Sequence, residues 1–423
     1  MKMTMTEAVC FILDRPQPTT GHSLEKIRLL MEALDNPQNK IRTIHIAGTN
    51  GKGSTSKMLY SALSKTQKTG IFNSPHIRRI NEAIAINNTE ISDEDFIDLV
   101  ERLKPYIEDL DSKGYILTYF EILTGIMYLY FYEQEVDIAI IETGLGGLMD
   151  STNIIKHPLA SVITTISMDH MNVLGDTIEE IAFQKAGIIK DQSPVFIYPA
   201  AANVMEVFYE KVMTSHSELH TYSKDEINIE KSDDNGSVFR FRSYKDVEIS
   251  LIGDHQVYNA ALALIVLDYF KDQFGLNQEL IKESLAEANN VGRLTTISTS
   301  PRVVVDGSHN KEAIDAMIAA LHNFAYDRLI IGFSVLSDKD YAYIIHRLAE
   351  VADELVVTSL DNKRAFEFHD LENITKEIRP DAIAIEDRIK AYDYTKTLAG
   401  PKDLVLWCGS LYLISEFVNY EGF

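Results

Sequence analysis

The stretch Gly48-Thr49-Asn50-Gly51-Lys52-Gly53-Ser54 lies between two runs of different periodicity. Residues 41–47 alternate like a strand, and residues 54–64 carry a helical pattern. Strand, glycine loop and helix in that order open a nucleotide-binding α/β unit. Glycines let backbone N–H groups approach phosphate oxygens, and the helix N-terminus adds a favourable dipole. Lys52 offers a point charge to the β- and γ-phosphates, and the Ser54 hydroxyl offers an oxygen to magnesium. The spacing departs from the usual phosphate loop, because the first glycine stands closer and Gly53 separates lysine from hydroxyl. A plain glycine turn is the competing reading. The strand and helix on the correct sides favour phosphate binding.

Outward from this loop, residues 24–34 place Ile27, Leu30, Met31 and Leu34 on one helical face. Strand candidates follow at 136–142, 159–166 and 194–198, with helices near 120–132 and 178–189. Short apolar runs beside helical patterns predict a mostly parallel, buried sheet. Between 220 and 252 the texture changes. Ile227-x-Ile229 and Phe239-x-Phe241 flank Asp233-Asp234-Asn235-Gly236, which reads as a small antiparallel hairpin, and a helix follows at 257–274. The polar segment 298–301 ends in proline and marks a boundary. Beyond it, strand candidates at 302–306, 328–332, 354–358, 382–385 and 404–408 are each followed by a helical pattern. The expected architecture is a phosphate-loop-containing α/β domain with a small antiparallel insertion over 1–297, then a smaller Rossmann-like α/β domain over 298–423.

Bulk properties narrow the partners. A chain of 423 residues exceeds the size of a single growing core. Its 40 Lys and Arg against 63 Asp and Glu give a net charge of −23, which disfavours nucleic acid and anionic lipid. Phosphate must therefore be held by local features rather than by a basic field. Two distant cysteines, Cys10 and Cys408, give neither a disulfide framework nor zinc-ligand spacing, as expected of a cytoplasmic protein. No signal peptide is read at the N-terminus, and the apolar run 260–267 is too short to span a membrane.

Single residues add chemistry. Glu142 ends the apolar run 138–141 and precedes glycines. A carboxylate at the C-terminal end of a parallel strand lies where open α/β sheets bind ligands, and its oxygen suits magnesium. Lys185 falls in the helical pattern from Ile178, where by itself it reads as solvent-facing.

The chain resembles the folylpolyglutamate synthase and dihydrofolate synthase family, relatives of the Mur peptide ligases, through an ordered series of motifs. After the glycine loop come Ser74-Pro75-His76, Thr118-Tyr119-Phe120-Glu121 with Thr124, and Glu142-Thr143-Gly144-Leu145-Gly146-Gly147. Asp150-Ser151-Thr152-Asn153, Asp169-His170, Leu174-Gly175 and Lys185-Ala186-Gly187-Ile188 continue it. His255-Gln256, Asn259-Ala260, Gly292-Arg293, Asp306-Gly307-Ser308-His309-Asn310 and Gly409-Ser410-Leu411-Tyr412-Leu413 complete it.

The resemblance implies a ligase that consumes ATP and magnesium to couple L-glutamate to folate or dihydropteroate. It implies ATP contacts at Gly48 through Ser54 and at Asn259, Arg293 and Asp306. Ser54, Ser74, Glu142 and His170 would hold magnesium. Lys52, Lys185 and His309 would serve the reaction, Lys185 as a carbamylated residue. Ser74, Pro75, His76, Thr118, Tyr119, Phe120, Glu121, Met149, Asp150 and Ser151 would face the pterin-bearing substrate, with core packing the other reading of Tyr119 and Phe120. The chain departs from the family at Leu148 and Gln184, where arginine and glutamate are common, at Ser151, where alanine is common, and at Val291-Gly292-Arg293-Leu294-Thr295. A Mur-type peptidoglycan ligase is the near rival, disfavoured by Ser74-Pro75-His76 and by the 118–121 motif. A non-catalytic nucleotide-binding regulator is the rival from another class.

Overall fold

The computed structural model describes residues 2–16 and 23–423. The chain forms two compact units, Met1–Ile227 with Phe241–Tyr244 and Tyr258–Ala288, and Asn228–Arg240 with Lys245–Val257 and Asn289–Phe423.

In the first unit the strands are β1 (Thr43–Ala47), β2 (Thr69–Phe72), β3 (Ile84–Ile86), β4 (Thr89–Glu90), β5 (Ile138–Glu142), β6 (Ala160–Ile163), β7 (Val195–Ile197) and β8 (Leu219–His220). They lie in the order β4-β3-β2-β5-β1-β6-β7-β8. The run from β2 to β8 is parallel, and β3 and β4 add an antiparallel edge. Every residue of β1, β2, β5, β6 and β7 is buried, so these strands read as continuous apolar runs rather than alternating ones.

Two cores explain that pattern. Phe72, Ala139 and Ile141 pack with Ile126, Tyr128 and Phe131 of the helix Tyr119–Glu133 and with Leu99 and Leu103 of Asp93–Ser112. Ala47, Ile163, Val195 and Ile197 pack instead with Ala182 of Ile178–Ala186 and Phe208 of Ala202–Thr214. Each fully buried Ile or Phe in these layers contributes roughly 1.5–3 kcal/mol relative to exposure. The apolar run 260–267 is a buried part of the helix Asp254–Phe274. No helix among the described residues is long and apolar enough to cross a membrane.

β9 (Ile227–Asp233), β10 (Gly236–Phe241) and β11 (Tyr244–Ile249) make a three-stranded sheet, one strand more than the predicted hairpin. β11 escaped notice because charged residues fill its outward positions, Lys245, Asp246 and Glu248.

The second unit holds β12 (Thr295–Thr299), β13 (Arg302–Val305), β14 (Leu329–Phe333), β15 (Glu354–Val357), β16 (Ile383–Ala384) and β17 (Leu404–Cys408). Their order is β12-β13-β17-β14-β15-β16, parallel except for β12. The edge strand β12 was not foreseen, since its residues are mostly polar and only Ile297 is buried. The expected boundary at residue 298 falls inside this strand.

Candidate active site

Four loops of the first unit leave the C-terminal ends of neighbouring parallel strands. They follow β1 at Gly48, β2 at Asn73, β5 at Thr143 and β6 at Thr164. Ligands bind open α/β sheets at that edge.

The helix after the glycine loop starts at Lys52, two residues earlier than predicted. β6 stops at Ile163, three residues before the predicted end, because residues 164–167 turn onto the glycine loop. Thr49 N–H donates to the Thr165 carbonyl at 2.7 Å, Asn50 N–H to Thr165 Oγ1 at 3.2 Å, and Ser167 N–H to Thr49 Oγ1 at 3.1 Å. Gly48 has φ +155°, and a Cβ there would meet Thr164 Oγ1 at 1.8 Å. Only glycine fits this approach. Gly51, with φ +86°, also lies close to the buried carboxamide of Asn259, a Cβ there lying 2.5 Å from its Oδ1. Ser54 is buried in the first turn.

Two lysines converge on this loop. Lys52 Nζ donates to the carbonyls of Gly48 at 3.1 Å and Thr49 at 3.3 Å, and lies 3.9 Å from Glu142 Oε1. Lys185 Nζ donates to the Gly48 carbonyl at 2.8 Å. The solvent-facing reading of Lys185 is overturned, since only 3% of it is exposed. The last turn of its helix docks on the loop after β5, where Leu148 N–H donates to the Gln184 carbonyl, so the lysine points inward. Burial, then the neighbouring Lys52 charge, push its ammonium down to about 7.

Glu142 Oε2 accepts from Asn73 Nδ2 at 2.6 Å. Among the described residues no group of three His, Cys, Asp or Glu forms a metal cage. Magnesium needs no such cage, since it commonly takes one or two protein oxygens with the rest from phosphate and water. The buried Glu142 carboxylate, 3.9 Å from the Lys52 ammonium, and the Ser54 hydroxyl are donors of that kind. Ser74 is half-buried at a cis Ser74–Pro75 bond. His170 has φ +52° at the start of Met171–Leu174, with Nε2 3.9 Å from Asp169 Oδ2. Burial lowers the His76 pKa.

The residues expected to face the pterin divide into two sets. Thr118 and Glu121 form a capping box: Thr118 N–H donates to Glu121 Oε2 at 2.8 Å, Glu121 N–H donates to Thr118 Oγ1 at 3.3 Å, and Lys26 Nζ lies 3.2 Å from the same carboxylate. Tyr119 packs on the core. The Asp150 carboxylate turns into its own loop, accepting from Leu145 N–H and Thr152 N–H. The Phe120 ring covers Gly144, 5.8 Å from the Phe72 ring. Ser151 Oγ lies 2.9 Å from Thr124 Oγ1, and Met149 is exposed. Of these three Met149 is exposed, Phe120 is half-buried against the core and Ser151 is buried.

In the second unit Asp306 accepts from Leu294 N–H at 2.9 Å and Ser308 N–H at 2.8 Å. His309 Nδ1 lies 2.8 Å from the Gly307 carbonyl. Asn310 caps the helix Lys311–Ala320. Arg293 and Asp306 both act on the buried His255, whose pKa burial lowers most. Asn73, Thr164 and Thr165 were missed. Nothing in their spacing marks them, because each acts only through a neighbour brought in by strand pairing.

The Mur ligase middle domain matches residues 46–267, and the Mur ligase, glutamate ligase domain matches residues 292–411. The dihydrofolate synthase/folylpolyglutamate synthase of Bacillus subtilis is 39% identical over 406 residues, 93% of each chain. The folylpolyglutamate synthase of Lacticaseibacillus casei is 35% identical over 357 residues, covering 82% of this chain and 83% of that one. Among solved structures, the Mycobacterium tuberculosis folylpolyglutamate synthase complexed with ADP and AMPPCP superposes with a TM-score of 0.90 at 29% identity, covering 98% of both chains. A folylpolyglutamate synthase complexed with AMPPCP and folate gives 0.85 at 30% identity over 98% of both chains. The chain belongs to the folylpolyglutamate synthase/dihydrofolate synthase family of Mur ligases.

Proposed function

We propose that this protein is a cytoplasmic ligase that uses ATP to join L-glutamate to a carboxylate of folate or dihydropteroate, releasing ADP and phosphate. One observation carries the reading: Lys52, at the start of the helix that follows β1 and its glycine loop, stands 3.9 Å from Glu142 at the end of the adjacent parallel strand β5.

A free carboxylate resists amide formation because its leaving group is oxide-like. Its oxygen attacks the γ-phosphorus, the bond to ADP breaks, and an acyl phosphate results. The glutamate amine then attacks the acyl carbon, inorganic phosphate departs, and the nitrogen loses a proton. Phosphoryl transfer is mainly positioning and electrostatics. Lys52 exchanges the carbonyls of Gly48 and Thr49 for phosphate oxygens, and the N–H groups of the first turn of the helix Lys52–Leu63 hold the same charge. Asn259, against Gly51, faces the adenine. Magnesium, when bound, supplies positive charge to the phosphates, and Glu142, Ser54, Ser74 and His170 would hold it. Lys185, with its pKa near 7, keeps a neutral fraction that adds carbon dioxide and sheds a proton, as the resembled carbamylation requires. The resemblance assigns Arg293, Asp306 and His309 to the nucleotide and the reacting phosphate.

The deciding assay supplies ATP, magnesium and glutamate with dihydropteroate and with tetrahydrofolate in separate reactions. Glutamate-dependent ADP release with either acid supports the reading, and the pair of rates says which activity dominates. ATP consumption without a glutamyl product from either acid overturns it. Ligation onto a peptidoglycan nucleotide precursor instead moves the assignment to the Mur peptide ligases.

A further inference from the structure

Beneath the loop that follows Glu142 runs a buried chain of polar groups. Asp150 Oδ2 accepts from Leu145 N–H at 2.8 Å, and Oδ1 from Thr152 N–H at 3.0 Å. A third donor, Thr152 Oγ1, reaches the same Oδ1. On the far side of Thr152, its Oγ1 lies 2.8 Å from His45 Nε2, while its carbonyl accepts from Tyr128 OH at 2.8 Å. His45, Thr152 and Tyr128 are fully buried, and Asp150 is 5% exposed.

Proton counting fixes the direction of this chain. A carboxylate accepts only, so the single Thr152 hydroxyl hydrogen goes to Asp150. Thr152 Oγ1 must then accept, which makes His45 the donor through Nε2–H. Burial keeps that imidazole neutral, with its pKa lowered to about 3. Its Nδ1 therefore carries no proton, and that atom has no hydrogen-bond partner. With Asp150 ionised, as its backbone N–H and Thr152 hydroxyl donors favour against the burial that raises its pKa, no other arrangement satisfies all three side chains.

We propose that His45 and Thr152 are positioning residues for the carboxylate-substrate end of the site, acting through Asp150 on the loop 144–151. Asp150 takes the Leu145 N–H near the start of this loop and so sets the path from Glu142 to Met149 and Ser151. Asp150 touches no substrate in this scheme. The kinetic half rests on the function proposed above; the proton arrangement does not.

Nitrogen-detected NMR of histidine-labelled, full-length protein tests the arrangement. His45 is expected as a neutral Nε2–H tautomer from pH 5 to 8, and a protonated ring or an Nδ1–H tautomer overturns it. Kinetics test the role. Thr152→Val keeps volume and His45→Phe keeps a flat, somewhat larger ring, and both lose the donors; each is expected to raise KM for the pterin acid about tenfold, with KM for ATP within about twofold. Thr152→Ser and His45→Gln restore a hydroxyl and an N–H and are expected to recover most of that loss. Equal changes in both KM values, or no difference between paired variants of equal folded fraction, overturns the role. If wild-type protein ligates no pterin acid while the tautomer is as stated, the function reading fails and the arrangement stands.

Discussion

Lys185 Nζ and the carbonyl oxygen of Gly48 are 2.8 Å apart, a hydrogen bond that joins the helix Ile178–Ala186 to the glycine loop across 137 residues of sequence. An ammonium buried this deeply is costly, which is why its pKa is depressed and why the loop carbonyl is its partner.

That depression sets a pH dependence. Between about 7 and 10.5 the unfolded chain holds a proton on Lys185 that the folded chain has released. Stability therefore rises with pH across this window, by up to about 1.4 kcal/mol per unit, and the penalty is fully present below it. Lys185→Met removes the term. In urea unfolding, the stability of wild type relative to this variant is expected to improve from pH 7 to 9; parallel curves contradict it.

Lys52→Ala is expected to cut glutamate-dependent ADP release by about a hundredfold or more while leaving the melting temperature nearly unchanged. The reason for the split is that Lys52 donates to carbonyls of its own loop and stands 3.9 Å from Glu142, so its loss costs little packing. A variant that retains full turnover dismisses the phosphate assignment.

Glu142→Ala is expected to raise the magnesium concentration for half-maximal rate by about tenfold. A magnesium titration measures this directly. The same midpoint in variant and wild type would remove Glu142 from the magnesium assignment and leave it as a partner of Asn73 and Lys52.

Gly48→Ala is expected to abolish nucleotide binding in calorimetry. Its φ of +155° and the 1.8 Å approach to Thr164 Oγ1 force the loop to move. Gly114→Ala is the control, because Gly114 also has positive φ, +86°, but nothing within 4 Å of a Cβ. It is expected to cost about 1–3 kcal/mol of stability through backbone strain alone and to bind ATP normally.

Much of the fold was legible because buried parallel strands are written as apolar runs. β17 matches its predicted span, and β5 and β13 match theirs to within two residues. The strands that escaped, β3, β4, β8, β11 and β12, are short, edge or mostly polar ones, in which the apolar signal is brief or halved. At the site, the glycine loop and Glu142 were legible because close backbone approach and a strand-end carboxylate leave local signatures. The inward turn of Lys185 was not, since a helical pattern places a residue on a face without saying what covers that face.

By itself the sequence determined the order of strands and helices, the phosphate loop and the family, because these follow from local periodicity and short motifs. Tertiary structure alone decided that Lys52, Lys185, Gly48 and Glu142 share one place, and that Asp150 turns inward to Thr152 and His45. Strand pairing brings together residues far apart in the chain, and burial then sets their protonation. Neither distance nor dielectric is encoded at any single position.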